Sequence, residues 1–516
     1  MGRRVLPMGE YGLLVELDTQ DAVLGLYAAL RDEPLVGQAE LVPAARSLLV
    51  KLLPGVEPAA ARETLETRPL GHLDTAAAAT VVIDVVYDGA DLVEVGELTG
   101  LGADGVVAAH TDQVWTVAFG GFAPGFGYLT GLDGRLEVPR RASPRTAVPA
   151  GSVGLAGPYS GIYPRSSPGG WQLIGRTAAP LWEPTRDPPA LLCPGMSVQF
   201  RAVESLAAPT DHPGAHATSD EPASGLEVLR TGVFTTIQDG GRTGYAELGV
   251  PPSGAADHGA YATANALVGN HDGAVALELT LGGFRARAVG DQLLAVTGAA
   301  RTFEIRRSDG SLEHYPAGLA TSVASGDVIT IGHPGTGLRS YLAMRGGIDV
   351  PAVLGSRSTD VLSGLGPAPV RRDQRLAVGA ATRSGSGWPD PAGANPTAAA
   401  VSPGSLPLMP GPHLHRLEAD ALSRLVGREW TVTPDSNRVG LRLAGPPIGR
   451  SSTDEMPSAP LVPGAIQIPP SGQPIVFLRD HPVTGGYPVI AVLTGAAIDG
   501  AAQCRPGQHI RFELRP

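Results

Sequence analysis

Residues 119–177 read FGGFAPGFGYLTGLDGRLEVPRRASPRTAVPAGSVGLAGPYSGIYPRSSPGGWQLIGRT. Glycine, proline, arginine and aromatic residues crowd this stretch, and it holds almost no helix-forming run. Each Gly or Pro fixes a backbone shape that few other residues adopt. That density predicts closely spaced turns between short strands, with Arg and aromatic side chains displayed on them. Displayed groups on a turn-rich scaffold suit a binding or catalytic surface. The same pattern also fits a loop-rich β fold whose glycines serve geometry alone.

The rest of the chain agrees with a mainly β reading. Gly 69 and Pro 48 are high for 516 residues, and only 17% of residues are charged. A hydrophobic fraction of 43% is enough for ordinary globular cores. The length suggests about three or four domains. A net charge of -11 argues against nucleic acid and against an anionic membrane surface as partners. All but one of the 39 Lys+Arg residues are arginine, the exception being Lys51. No phosphate loop ending in Gly-Lys-Ser/Thr is present, so bound ATP would rely on Arg side chains, backbone amides and a metal. Cys193 and Cys504 have neither zinc nor disulfide-framework spacing. The N-terminal stretch does not read as a signal peptide, and no run of 18 or more apolar residues appears, so a cytoplasmic protein is expected.

In chain order, residues 1–78 read as a small α+β unit. Strands are predicted within 3–17 and 46–53, and helices over 21–30 and 58–65. A β unit follows over 79–204. It starts from the strand VVIDVVY at Val81, has helix pieces at 91–98 and 105–110, and ends on the strand within 191–203. Residues 205–224, rich in Pro, Ala, Ser and Asp, read as a linker in which His212 and His216 are solvated. A second β unit spans 225–383, with a helix from about 257 to 268 capped by Asp257. Its strands are predicted at 276–281, 292–297, 328–331 and 340–345. A linker over 384–404 leads to a last unit, 405–516. There, His413 and His415 are read as same-face residues of a strand.

Three echoes relate the halves. Val148-Pro149-Ala150-Gly151 returns as Val462-Pro463-Gly464. Gly169-Gly170-Trp171 returns as Gly485-Gly486-Tyr487. Pro194-Gly195 with Val198 and Phe200 returns as Pro506-Gly507 with Ile510 and Phe512. The same order and similar gaps predict that both halves end in one kind of β unit.

Polar residues flanked by Gly or Pro are the site candidates. In the first half they are Arg140, Arg145, Ser152, Tyr163 and Arg176, beside the aromatics Phe126 and Trp171. In the second half they are Gln238, Arg242, Ser253, Asp257, Arg345, Arg438, Gln467, Thr484 and Tyr487. Guanidinium groups near glycine turns suit carboxylate or phosphate. Asp239, Glu278 and Asp480 are candidates for Mg²⁺ or proton transfer, and His110 for a general base. No nucleophile motif is present.

The segments GFAPGFGYL, LEVPRRASPRTAVPAGSVGLAG and YPRSSPGGWQLIGRT resemble the B subunit of bacterial 5-oxoprolinase, also called allophanate hydrolase subunit 1. TGVFTTIQDGGRTGYAELGVPPSGAAD, MRGGIDVPAVLGSRSTD and LVPGAIQIPPSGQPIVFLRDHPVTGGYPVIAVL resemble its C subunit. The resemblance implies cyclophilin-like β-barrels, one in the first half and two in the second, and a fusion of two usually separate subunits. It implies ATP-dependent opening of the 5-oxoproline lactam to glutamate, with ATP as cofactor and an amidohydrolase-like A subunit as partner, and a phosphoryl transfer of that kind calls for Mg²⁺ around the phosphates. It leaves self-association into a homo-oligomer open. The same domains resemble the carboxyltransferase region of urea carboxylase, and the family includes a kinase inhibitor that binds without turnover. One loop departs from the family: after SRSTD the chain reads SGLGPAPVRRDQRLAVGAATR, keeping Gly366 but altering the usual Gly-Arg and Gly-Asp pairs.

Overall fold

The structure is a computed structural model that describes residues 3–71, 80–206, 224–379, 404–452 and 456–515. Most of both expected linkers, with His212 and His216, lies outside the described residues.

Alternation of apolar residues builds the N-terminal sheet. Val5, Leu13, Val15, Leu48 and Val50 face the helix Gln20–Asp32 and pack on its Val23, Leu26, Tyr27 and Leu30. The strands run in the order Arg4–Pro7, Gly12–Glu16, Ser47–Leu52, Gln38–Pro43, all antiparallel. The stretch 3–17 is thus a hairpin of two strands, turned at Gly9 with φ +80. Thr19 caps the first helix by accepting from the Ala22 N–H, and Pro58 opens the second helix, Pro58–Thr67. The sheet's other face is also apolar. Met8, Leu14, Val42 and Leu49 pack against Leu461, Val462, Phe477 and Val489 near the far end of the chain.

The next unit is a seven-stranded sheet ordered Gln172–Arg176, Ser152–Ala156, Tyr159–Ile162, Gly127–Thr130, Val114–Gly120, Ser197–Ala202, Val81–Val85. Its two edges meet where Val86 and Arg176 exchange backbone hydrogen bonds of 2.9 Å, so the sheet curls into a barrel. The last unit is a closed barrel of strands Ser405–Pro410, Val489–Leu493, Ala465–Gln467, Ile475–Phe477, Gly440–Ala444, Glu429–Val432 and His509–Leu514. The cyclic order is the same, and in each barrel the first strand pairs parallel with the last. The Trp115 indole donates to the His110 carbonyl, five residues earlier, and Trp430 donates to Leu425 in the same way. The Gly195 N–H reaches Val117 O at 2.7 Å, and Gly507 reaches Val432 at 2.7 Å. The echoed Gly/Pro segments therefore mark equivalent turns of one repeated barrel.

Between them, a six-stranded sheet centred on Val328–Ile331 and Phe284–Val289 packs on a five-stranded sheet that contains Phe234–Gln238, Ala276–Thr280 and Arg339–Met344. Asp257 caps the helix His258–Leu267 by accepting from Ala260 N at 2.9 Å, as expected from its position. Strands Phe284–Val289, Thr302–Arg306, Leu312–Pro316 and Ala320–Val323 come in addition to those expected. His413 and His415 are not on a strand. His413 is the N-cap of a 3-10 turn at Leu414–Arg416 and His415 lies within it, and the Val489 N–H donates to His413 Nδ1.

Candidate functional site

The two halves meet through a turn that only glycine permits. Residues Ala246–Leu248 lie against the Gly120–Phe126 segment, and Gly125 N donates to Leu248 O at 3.1 Å. A Cβ at Gly120 would sit 2.2 Å from Glu247 O, and one at Gly249 2.4 Å from Ala123 O. Tyr27 hydrogen-bonds Glu247, and Gly244 N donates to Glu40 at 2.5 Å, so the N-terminal unit shares this junction.

Behind the junction lies a buried polar centre. Glu278 and Tyr341 alternate with core-facing Leu277, Leu279 and Leu342, so they leave the sandwich on its outer face. Arg438 reaches in from the last barrel. It donates to both Asp480 oxygens at 3.0 Å, to Glu278 Oε1 at 2.5 Å and to Gly254 O at 2.6 Å. Glu278 also accepts from Ala256 N at 2.9 Å and Tyr341 at 2.8 Å, and Arg339 stands 3.3 Å away. Burial pushes the Glu278 carboxyl up, but Arg438 and Arg339 outweigh it and hold the group below its usual range. Asp480 further accepts from Ser253 at 2.8 Å and Val361 N at 3.1 Å. Ser253 itself is held at φ +50, a left-handed backbone rare for serine.

Asp239 organises the neighbouring loop. It accepts from Ser356 at 2.7 Å, Ser358 at 2.5 Å, Arg357 N at 2.6 Å and Gly241 N at 2.8 Å. This pins Ser356–Asp360 alongside strand Phe234–Gln238, where Thr359 N donates to Ile237 O and Gln238 Nε2 to Thr359 O. Arg242 donates to Val353 O at 3.2 Å and Ser358 O at 2.5 Å.

Several buried polar atoms of this region have no partner within the protein. They are Arg242 Nη1 and Gln238 Oε1, together with Arg165 Nε from the first half, while Asp360 Oδ2 and Ser363 Oγ have no partner beyond each other. Asp360 is 1% exposed, and its Oδ1 accepts from Leu362 N and Ser363 N at 2.9 Å. Burial, then the charge of Asp480, pushes its carboxyl up to about 6. Arg165 lies within electrostatic reach of it. Unpaired buried donors and acceptors are costly unless something fills them. This set is one acid with two guanidinium groups within electrostatic reach of it.

The residues expected to bind a metal do not fit one. Asp239, Glu278 and Asp480 each spend their lone pairs on internal donors, and Glu278 and Asp480 are tied to Arg438. Among the described residues no group of three His, Cys, Asp or Glu is placed to hold an ion. His110 is not an accessible base. It is 0% exposed, its nitrogens bond Tyr87 at 2.7 Å and Ser160 at 2.8 Å, and its ring stacks on Phe200. Burial lowers its pKa to about 3.

The first-half candidates form a separate group. Arg145 donates to Asp91 at 2.8 Å, as does Arg141 at 2.6 Å, and Leu173 N takes the other oxygen at 2.7 Å. Phe126, Tyr163 and Trp171 form one edge-to-face cluster beneath this group. Arg176 pairs with Asp88 at the surface, Arg140 and Arg345 are exposed, and Ser152 is a buried barrel residue opposite Arg176. Gln467 donates to the Tyr487 carbonyl, and Thr484 pairs with Pro460 in a short two-stranded antiparallel sheet. Asp257 holds Gln503 of the last barrel at 2.6 Å. Arg165, Asp360 and Asp91 were absent from the sequence candidates. Arg165 follows a proline in YPRSSPGG, the same signal that singled out its neighbours; Asp91 and Asp360 become visible only through burial.

Residues 3–192 match the family described as carboxyltransferase domain, subdomain C and D, and residues 248–514 match carboxyltransferase domain, subdomain A and B. The chain belongs to the carboxyltransferase-domain family. It joins a half like the B subunit of 5-oxoprolinase to a half like the C subunit. It is 37% identical over 290 residues to the 5-oxoprolinase C subunit of Escherichia coli K12, covering 56% of this chain and 90% of that protein. It is 52% identical over 123 residues to the 5-oxoprolinase B subunit of Escherichia coli O157:H7, covering 23% of this chain and 56% of that one. The urea amidolyase of Lachancea kluyveri is 32% identical over 311 residues, which cover 56% of this chain but 17% of that enzyme. The crystal structure of TTHA0988 superposes with a TM-score of 0.84 at 31% identity, over 97% of this chain and 99% of that one. Carboxyltransferase-domain membership at this coverage fits the mainly β reading and the two-subunit architecture.

Proposed function

We propose that this chain is the combined B and C component of an ATP-dependent 5-oxoprolinase, working in the cytoplasm with a separate amidohydrolase-like A subunit. One observation carries the reading. Both halves match named 5-oxoprolinase subunits, and buried polar atoms without partners gather where the halves meet. 5-Oxoproline offers what that centre lacks. Its carboxylate suits Arg242 Nη1 and Arg165 Nε, and its amide suits Asp360 Oδ2. A carboxyl near pH 6 holds a proton for part of the time at neutral pH, so Asp360 is able to protonate the ring nitrogen as the C–N bond breaks. When bound, ATP supplies the phosphoryl group that makes the lactam oxygen a better leaving group. Arginine donors suit its phosphates, while the engaged carboxylates leave Mg²⁺ to arrive with the nucleotide. Cyclophilin-like is the proposed kinship of the repeated barrels.

A carboxyltransferase role in a urea carboxylase system is the second reading, and the carboxyltransferase-domain match and the urea amidolyase likeness fit it. It requires a biotinylated carrier from another chain. Lys51 Nζ is spent on Glu40 at 2.7 Å and lies within a strand, so it is no attachment site. The deciding experiment is ADP and glutamate release from the purified chain with 5-oxoproline, with and without a cognate A subunit. ATPase activity that depends on 5-oxoproline, with glutamate formed only when the A subunit is present, is expected. Absence of ATPase in both mixtures contradicts the proposal and turns attention to urea with a biotinylated carrier, or to binding without turnover.

A further inference from the structure

A cavity of about 510 Å³ opens on the outer face of the six-stranded sheet, lined by Arg230, Arg285, Arg306 and Arg372 with Thr330 and Glu304. It lies on the opposite side of the sandwich from Glu278 and Tyr341, with the apolar core between the two sheets separating it from the buried polar centre.

The charge arrangement is unusual for this molecule. Arg230 stands directly across from Arg285 in the strand register, Arg285 across from Thr330, and Thr330 across from Glu304. Like charges directly opposite on a sheet cost stability. Neighbouring arginines on the same sheet are neutralised. Arg287, two residues along the same strand, donates to Glu227 at 2.5 Å. Arg307, next to Arg306, binds Glu313 and Asp327. In the cavity, Arg230 donates to Gly283 O at 2.7 Å and Arg306 to Gly310 O at 3.2 Å. Those carbonyls orient the guanidinium groups without neutralising them. Arg372 has Asp373 at 3.6 Å, both 77% exposed. One lining carboxylate, Glu304, therefore faces four guanidinium groups, in a chain of net charge -11.

We infer that this cavity binds a small molecule bearing two or more phosphate groups, at a site distinct from the junction of the halves. Guanidinium forks suit phosphate oxygens, the Thr330 hydroxyl adds a donor, and Leu229 and Leu312 give an apolar wall. The volume falls within the roughly 300–1,000 Å³ of ordinary ligand pockets. Placement across the core makes it an effector site, not a source of groups for chemistry at the junction.

The test is calorimetric titration of the full chain with tripolyphosphate, then with ATP, in the absence of 5-oxoproline. Three variants are compared: R285Q/R306Q, R306Q alone, and R287Q as the control. Tripolyphosphate is expected to bind and to raise Tm. R285Q/R306Q should weaken it at least tenfold, and R306Q severalfold, while R287Q stays within twofold. The ligand-free Tm of the double variant should equal or exceed the parent's, because a repulsion is removed; this reports folding separately. ATP binding with the same variant pattern supports the inference. Three results overturn it: no binding at millimolar tripolyphosphate, a Kd unchanged in R285Q/R306Q, or loss of A-subunit association in that variant without any phosphate binding. The readout involves no 5-oxoproline, so its failure leaves the 5-oxoprolinase reading standing, and the converse holds.

Discussion

Asp360 concentrates the argument at the scale of single residues. Its carboxyl titrates at about 6 in the folded chain, raised first by burial and then by Asp480, against about 3.9 in an unfolded chain. A raised carboxyl contributes stability that is full below about pH 4 and is lost as pH climbs through 6. Asp360→Asn keeps an oxygen to accept from Leu362 and Ser363 and has no charge to bury. It is expected to be at least as stable as the parent at pH 7, by up to about 3 kcal/mol, with the gain fading towards pH 4. Chemical denaturation at pH 4.5 and 7 measures this. In the same variant, turnover should fall at least a hundredfold, and the ionisation near pH 6 should vanish from what remains of the pH–rate profile. Sequence reasoning set Asp239, Glu278 and Asp480 to metal or proton work, whereas in the structure internal donors occupy their oxygens. Glycine and proline around Asp239, Asp480 and Ser253 do signal a fixed backbone. A fixed backbone serves saturation by internal donors as readily as it serves metal binding, and only the donor geometry separates the two. Asp360 has no such flanking signal, and its significance comes from burial.

At the scale of elements, the repeated barrel was legible because turns depend on Gly and Pro in ways that strands do not depend on any one residue. The echo extended further than the turns. Trp115 and Trp430 each fasten the carbonyl of a preceding helix to the barrel wall. Trp115→Phe and Trp430→Phe are each expected to cost about 2 kcal/mol, since each leaves a buried carbonyl unpaired and a small void. Equal losses in urea unfolding would confirm equivalent roles; a loss at one position only would deny it. Strands Phe284–Val289 and Thr302–Arg306 alternate buried apolar residues with exposed polar ones, a strand signal that was present in the sequence and passed over. The His413–His415 segment failed differently. Two histidines two apart fit a strand, but Gly411 and Pro412 turn the chain, and His413 serves as an acceptor for Val489 N.

At the scale of the whole molecule, the fusion is more than a tether. The N-terminal sheet seals against the last barrel through Met8, Leu14, Val462 and Phe477, and Gly120 and Gly249 let the two backbones close on each other. No sequence pattern announced that contact, because the two faces lie more than 400 residues apart and each reads as an ordinary core stripe. In the proposed function one substrate site is built from both halves, with Arg165 from the first and Arg242 from the second. The direct measurement is the Kd of 5-oxoproline for the intact chain, by calorimetry, beside Arg165→Ala and Arg242→Ala. Binding by the parent and at least a tenfold loss in each variant are expected, with folding confirmed by an intact thermal transition. An unchanged Kd in both variants would contradict the proposed site.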